Sequence, residues 1–256
     1  MAEDTPYAVG ATRTSVELLE LVVDADDPCG VTWLSNETGR SKSVVHNHLS
    51  TLRSLGFVAK RGRRYEASLG LLALGERVRS GMTSYAVGRE HVENLAHATG
   101  EVSTLFVEEE GRGVPLFVAE GASDWTYSPV AGERLPLHVT APGKAILATL
   151  DEDRVAEIVD RYGLAPATES TITDPDALSD QLSRIRDDGV SFCREEQFAD
   201  TVGVAAPVRT DPISRSLALG VVGPTDRLSG RYLEEDVTGQ VLSTANAVQV
   251  ELAGET

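Results

Sequence analysis

The 256-residue chain is poor in cysteine, lysine and aromatic side chains, and it carries no long apolar run. Its two cysteines, Cys29 and Cys193, lie far apart, and neither belongs to a C-x-x-C pair. That excludes a disulfide framework and a cysteine zinc site. No stretch approaches the roughly 18 consecutive apolar residues of a membrane-spanning helix. The opening segment MAEDTPYAVG is acidic and has neither a basic leader nor an apolar h-region, so the expectation is a soluble cytoplasmic protein. Aromatics make up 5% of the chain, and lysine occurs only at Lys42, Lys60 and Lys144.

What the chain has in surplus is acid. Forty Asp and Glu face 23 Lys and Arg, a net charge of −17. Taken whole, such a charge repels nucleic acids and membrane surfaces. Many acids, little lysine and few aromatics point to a halophilic interior of high ionic strength, where screening makes a dense negative surface tolerable; the alternative is an ordinary acidic protein of a mesophile. Hydrophobic residues reach 41%, enough for a packed core, and the length suits one large or two ordinary domains.

The acid is not spread evenly. Residues 1–80 hold 10 acids and 10 basic residues, so the whole imbalance falls on the remainder. Between Thr38 and Tyr65 there is no Asp or Glu, although the chain's average would place about four there. The same stretch carries Arg40, Lys42, Arg53, Lys60, Arg61, Arg63 and Arg64. A basic island free of acids in an acidic protein is the footprint of a polyanion site.

The island sits on a recognisable scaffold. Val16, Leu19, Val22 and Val23 repeat at helical spacing and end at the turn-rich Asp26-Asp27-Pro28-Cys29-Gly30. A short helix follows around 33–38, then a turn at Gly39-Arg40, then a second helix capped by Ser41. This is the helix-turn-helix outline. At 100° per residue, Val45, His48, Leu49 and Leu52 share the packing side, while Ser43, His46, Asn47, Ser50 and Ser54 cluster opposite. That polar face suits a helix that reads base edges in the major groove. His46 and His48 point about 200° apart and cannot chelate one metal. Gly56 stops the helix, and two short strands flank Arg61-Gly62-Arg63 as a cationic wing. The expected DNA contacts are Arg40, Ser41, Lys42, Ser43, His46, Asn47, Ser50, Arg53, Lys60, Arg61, Arg63 and Arg64.

Beyond Leu69 a helical stretch runs to Thr99, interrupted by Gly75, Gly81 and Gly88. Strands are expected at 102–109, 114–121, 135–139, 190–194, 202–208 and 217–222. Helical patterns fall at 142–150, 153–162, 176–187 and 231–252. Strand pairs interleaved with helices imply an α+β domain with one antiparallel sheet. Catalytic signals are missing. Gly143-Lys144-Ala145 resembles the end of a phosphate loop, but His138 stands where that motif needs Gly, and Ala145 is neither Ser nor Thr. No G-x-S-x-G, H-E-x-x-H or G-x-G-x-x-G occurs. The adjacent carboxylates Asp187-Asp188 and Glu195-Glu196 read as solvated surface. An enzyme is not expected, and neither a metal nor a cofactor.

The run LPLHVTAPGKAILATL (135–150) resembles the signature of the IclR family of transcriptional regulators. Ile185-Arg186-Asp187-Asp188-Gly189, Arg194-Glu195-Glu196, Gly203-Val204-Ala205-Ala206-Pro207-Val208 and Gly223-Pro224 keep that family's order. Gly39-Arg40-Ser41-Lys42-Ser43 and Leu69-Gly70 do so in the N-terminal part. The resemblance covers about residues 12–252. It implies a winged helix-turn-helix domain (1–68), a linker helix (69–82) and an effector-binding domain with a GAF-like sheet flanked by helices (83–256). It also implies a homodimer or dimer of dimers on a pseudo-palindromic operator in double-stranded DNA, switched by a small organic effector. The alternative is a metabolite-binding module that acts through protein contacts.

By the same resemblance the effector is held by Ala141, Pro142, Gly143, Cys193, Gly203, Gly220 and Val222. Pro142 has no backbone donor, and Cys, Gly and Val stand where an acid and serines hold small carboxylates in other members. A larger, less charged ligand, such as a sugar derivative or an aromatic acid, is therefore expected. The glycines should widen the pocket.

Overall fold

The computed structural model describes residues 9–122, 125, 129–209 and 215–254. They form two compact units, Met1–Gly81 and Met82–Thr256. The first unit runs α1 (Gly10–Val23), β1 (Cys29–Gly30), α2 (Val31–Thr38), α3 (Lys42–Ser54), β2 (Val58–Arg61), β3 (Arg64–Ala67) and α4 (Gly70–Ser80). Leu18, Val22, Leu34, Val45, Leu49, Leu52, Val58 and Tyr65 close its core. The strands pair antiparallel in the order β1-β3-β2. Arg61 faces Arg64 in register, so Gly62 and Arg63 alone make the wing's turn. Gly62 has φ of +62°, as the first central residue of a two-residue hairpin turn requires.

The second unit begins with α5 (Thr83–Thr99), β4 (Val102–Glu109), β5 (Arg112–Ala119) and β6 (Leu135–Pro136). A single 3-10 turn, Leu137–Val139, leads into α6 (Ala141–Leu147). Then come α7 (Glu152–Tyr162), α8 (Pro175–Asp188), β7 (Ser191–Arg194), β8 (Thr201–Val208), β9 (Leu217–Pro224) and α9 (Thr238–Gly254), which is preceded by a π-helical turn at Tyr232–Val237. The sheet is antiparallel throughout, in the order β6-β5-β4-β9-β8-β7.

Both sheet faces are covered. Val202, Val204, Ala206 and Val208 meet the layer of α5 and α9, while Ala205, Ala218 and Phe106 meet α6, α7 and α8. Alternation along each strand therefore sorts residues between two cores and not between core and water.

Three expectations need correction. The strand at 135–139 stops at Pro136, because Leu137–Val139 already turns toward α6. Its helix ends at Leu147 and not at 150. Of the three interrupting glycines only Gly81 lies at a break, whereas Gly75 and Gly88 sit inside helices. At Gly88 a Cβ would lie 2.7 Å from Leu105 Cδ2, so glycine lets α5 approach β4. Among the described residues no helix is long and apolar enough to cross a membrane.

Candidate functional site

Two places gather the candidate residues, one in each unit. In the first, α3 presents Ser43, His46, Asn47, Ser50 and Ser54 to solvent, with Val45, Leu49 and Leu52 buried behind. Gly39, in the left-handed region at φ +65°, turns the chain out of α2, and Ser41 Oγ caps α3 by accepting from Val44 N–H. Ser50 Oγ donates to His46 O and Ser54 Oγ to Thr51 O, so both hydroxyl protons are occupied by the helix itself. The Asn47 amide meets no partner among the described residues, and its donors and acceptor remain open. His48 is half-buried, with Nδ1 2.8 Å from Ser15 Oγ.

The wing's cations, uniform in sequence, are unequal in space. Arg61 Nε is 2.5 Å from Glu66 Oε1. Arg64 Nη1 donates to Pro28 O at 3.0 Å, and Lys60 Nζ lies 5.3 Å above the Tyr65 ring. Arg63, at the turn's tip, is exposed and has no partner among the described residues. Arg40 is half-buried and bonds Glu17 at 3.1 Å. Together with Arg13 and His48, it borders an open cleft of about 480 Å³ between α1 and α3.

In the second unit, Ala141, Pro142, Cys193, Gly203, Gly220 and Val222 line one cavity of about 30 Å³ on the α6 side of the sheet. Gly143 is not among its walls. A Cβ there would lie 2.2 Å from Leu137 O, so this glycine packs α6 against the preceding turn. The other glycines do not widen the cavity, contrary to expectation. A Cβ on Gly203 would meet Ala141 Cβ at 3.3 Å, and one on Gly220 would meet Ala205 Cβ at 2.7 Å. Gly203 is small because α6, buried along its whole length, lies directly on β8, whereas Gly220 is crowded by Val204 O and Ala205 of the neighbouring strand.

Sequence reasoning missed Thr104, Thr140, Gln197 and Thr201, which also line the cavity. Thr104 had a faint signal as one of two hydroxyls in the otherwise apolar stretch Val102–Val107 of β4. Thr140 had a better one, a threonine just ahead of Ala141-Pro142, where it caps α6 by accepting from Gly143 N–H at 3.0 Å.

Behind the cavity wall lies a buried ion pair. Lys144 Nζ is 2.5 Å from Glu196 Oε1, with Lys144 wholly buried and Glu196 nearly so. The expectation that Glu195-Glu196 is solvated is therefore wrong for Glu196, whose cationic partner lies 52 positions earlier in the chain. Thr168 and Thr171 donate to the carbonyls of Glu195 and Glu196, fixing the corner between β7 and β8. Ser191 Oγ donates to Ala141 O, and Cys193 Sγ to Val139 O at 3.0 Å, so three side chains fasten β7 and this corner to the start of α6.

Burial pushes the Cys193 thiol up to about 11, which outweighs the lowering by Lys144; Glu196 adds to the rise. At pH 8 roughly one Cys193 in a thousand is then thiolate. Burial raises Cys29 as well, and both cysteines are free. Iodoacetamide at pH 8 should thus label Cys193 about a hundredfold more slowly in the native chain than in the guanidinium-unfolded chain, and Cys29 more slowly as well. Rapid labelling of one equivalent in the native state would contradict this burial.

No three His, Cys, Asp or Glu side chains among the described residues converge as metal ligands. Comparison with known proteins adds the following. A family model described as "IclR helix-turn-helix domain" matches residues 14–62, and one described as "Bacterial transcriptional regulator IclR C-terminal" matches residues 80–250. The chain is 27% identical to the probable HTH-type transcriptional regulator ArcR of Halobacterium salinarum, over 96% of this chain and 95% of that protein. It is 32% identical to the HTH-type transcriptional regulator KdgR of Escherichia coli, over 81% of this chain and 80% of that one. The crystal structure of the Thermotoga maritima IclR superposes with a TM-score of 0.82 at 23% identity, covering 95% of this chain and 98% of that one. An IclR homologue from Microbacterium hydrocarbonoxydans, solved with 4-hydroxybenzoate, superposes with a TM-score of 0.78 at 19% identity, covering 94% of this chain and 99% of that one.

Proposed function

The chain belongs to the IclR family of transcriptional regulators, and we propose that it reads a pseudo-palindromic operator as a homodimer or dimer of dimers, under control of a small organic effector. It is a DNA-binding regulator and not an enzyme. Residues 1–68 serve as the DNA-binding domain, 69–82 as the linker and 83–256 as the effector domain. The observation that carries the DNA contact is the exposed, acid-free face of α3 beside the free guanidinium of Arg63. Acids dominate the second unit, and their absence from residues 38–65 disfavours the alternative of a module without DNA contact.

Dimerisation is supported by apolar side chains that the first unit leaves uncovered. Val9, which caps α1, and Val16 and Val23 on it recur seven residues apart and are all about half exposed or more. Helix α4 has no buried residue and exposes Leu72 and Val78, as its cap exposes Leu69. Such a surface calls for a partner. The effector is assigned to the cavity beside α6 because six of the seven candidate residues line it; that a relative was solved with 4-hydroxybenzoate supports a small organic effector, not its position. The surplus of acid, with a relative from Halobacterium salinarum, supports a salt-rich cell interior.

The test is the salt dependence of binding to DNA from the chain's own upstream region. Arg63→Ala should reduce the slope of log K against log salt by about one unit, the value of one lost phosphate contact. Arg61→Ala should change it less, since Glu66 already neutralises Arg61. An unchanged slope for Arg63→Ala removes the wing from the interface.

A further inference from the structure

We propose that the cavity beside α6 takes an uncharged ligand, a compact apolar body bearing a hydroxyl, and that Thr104 reads that hydroxyl. This rests on the effector cavity proposed above. Thr104 lies on β4, is 3% exposed and lines the cavity, yet its hydroxyl has no hydrogen-bond partner among the described residues. The Thr104 oxygen is not among the fully sealed unpaired atoms, so it stays open to the cavity, where a guest's hydroxyl can bond it. Thr140 Oγ1 accepts from Gly143 N–H, so its own proton stays available to a guest. Thr201 Oγ1 donates to Phe198 O, which leaves its lone pairs to accept. Together the threonines offer both donors and acceptors, as a hydroxyl requires.

Charge is what the walls do not provide. Among the described residues no ionised side chain lines the cavity. The Cys193 thiol keeps its proton and directs it to Val139 O. Pro142 has no N–H to offer. Lys144 has no exposed surface, and Glu196 already neutralises it. A carboxylate entering here would lose its water and gain no counter-charge, whereas a neutral ring would be received by Phe106, Leu135 and Val222. The cavity's 30 Å³ is on the scale of a water molecule, so an organic guest must displace wall side chains, and small rings enter at least cost.

The probes are phenol, benzoate and pyruvate, titrated into the full-length protein while the amide shifts of Thr104, Gly203, Gly220 and Val222 are followed by NMR. Phenol should move these amides saturably. Thr104→Val should weaken phenol about fivefold, the effect of one neutral hydrogen bond. If benzoate or pyruvate moves the same amides at lower concentration than phenol, the uncharged class is overturned while the site stands. If no probe moves them, or only distant amides respond, the cavity holds water alone and both readings fall. If Thr104→Val binds phenol as well as the unaltered chain does, the role given to Thr104 is overturned.

Discussion

Replacing Lys144 with methionine should lower the stability of the protein by about 3–5 kcal/mol in urea unfolding, the largest effect expected of any single substitution in the second unit. Methionine matches the aliphatic stem of lysine, so the packing of α6 changes little. What changes is that Glu196, 5% exposed, loses the ammonium 2.5 Å from Oε1. Its other oxygen, Oε2, already has no partner, so the variant would bury a carboxylate with almost nothing to hold its charge. Removing both charges as Lys144→Met with Glu196→Leu should recover much of the loss, because a buried ion pair can be exchanged for apolar side chains at little net cost. A single substitution that costs less than about 1 kcal/mol, or a double no more stable than the single, would show that the pair is not dry.

The same pair matters for the effector cavity. Lys144 sits on α6, whose first turn forms one wall, and Glu196 sits on the corner that carries Gln197 and leads to Thr201 on the opposite side. Ser191 and Cys193 hold β7 to the α6 start by hydrogen bonds to carbonyls, but among the described residues only Lys144–Glu196 joins the two with charge. The pair thus fixes the spacing of the walls without lining the cavity.

This arrangement marks where sequence reasoning stops. The faces of α3 were legible because helical rotation is a local rule: Val45, Leu49 and Leu52 are buried, and Ser43, His46 and Asn47 are exposed as the 100° step requires. The wing was legible because glycine between basic residues marks a two-residue turn. Of the seven residues to which the family resemblance likewise pointed, six line the cavity, Gly143 being the exception. The partners of charged groups were not legible. Glu66, one residue beyond the acid-free stretch, neutralises Arg61, and Glu17 on α1 holds Arg40. Pairing across the fold depends on distance in space, which composition does not encode. The glycines misled for a related reason. A missing side chain can leave a void or admit a close neighbour, and at Gly203 and Gly220 the neighbours are Ala141 and Ala205.

On DNA, the largest sequence-specific effect is expected from Asn47→Ala. Asn47 stands near the middle of the exposed face of α3, between Ser43 and Ser50. Ser43 Oγ also has no partner among the described residues, but a hydroxyl carries a single donor, whereas the Asn47 amide offers two donors and a separate acceptor; Ser50 and Ser54 have directed their protons to the helix, and His46 Nδ1 lies 3.5 Å from Ser50 Oγ. An asparagine amide can bond adenine N6 and N7 together, a contact worth about 1–3 kcal/mol of discrimination against another base. Asn47→Ala should therefore weaken the operator by roughly 5- to 150-fold and erase preference at one or two base-pair positions in each half-site. It should leave binding to unrelated DNA, and the salt slope, unchanged, because no phosphate contact is lost. Paired recognition helices on a symmetric dimer should repeat the effect in both half-sites, about one helical turn apart. Measuring affinity for single-base operator variants with both proteins decides the role. A loss spread evenly over all variants would make Asn47 a positioning residue on the backbone, and a footprint confined to one unrepeated half-site would remove the symmetric dimer from the account.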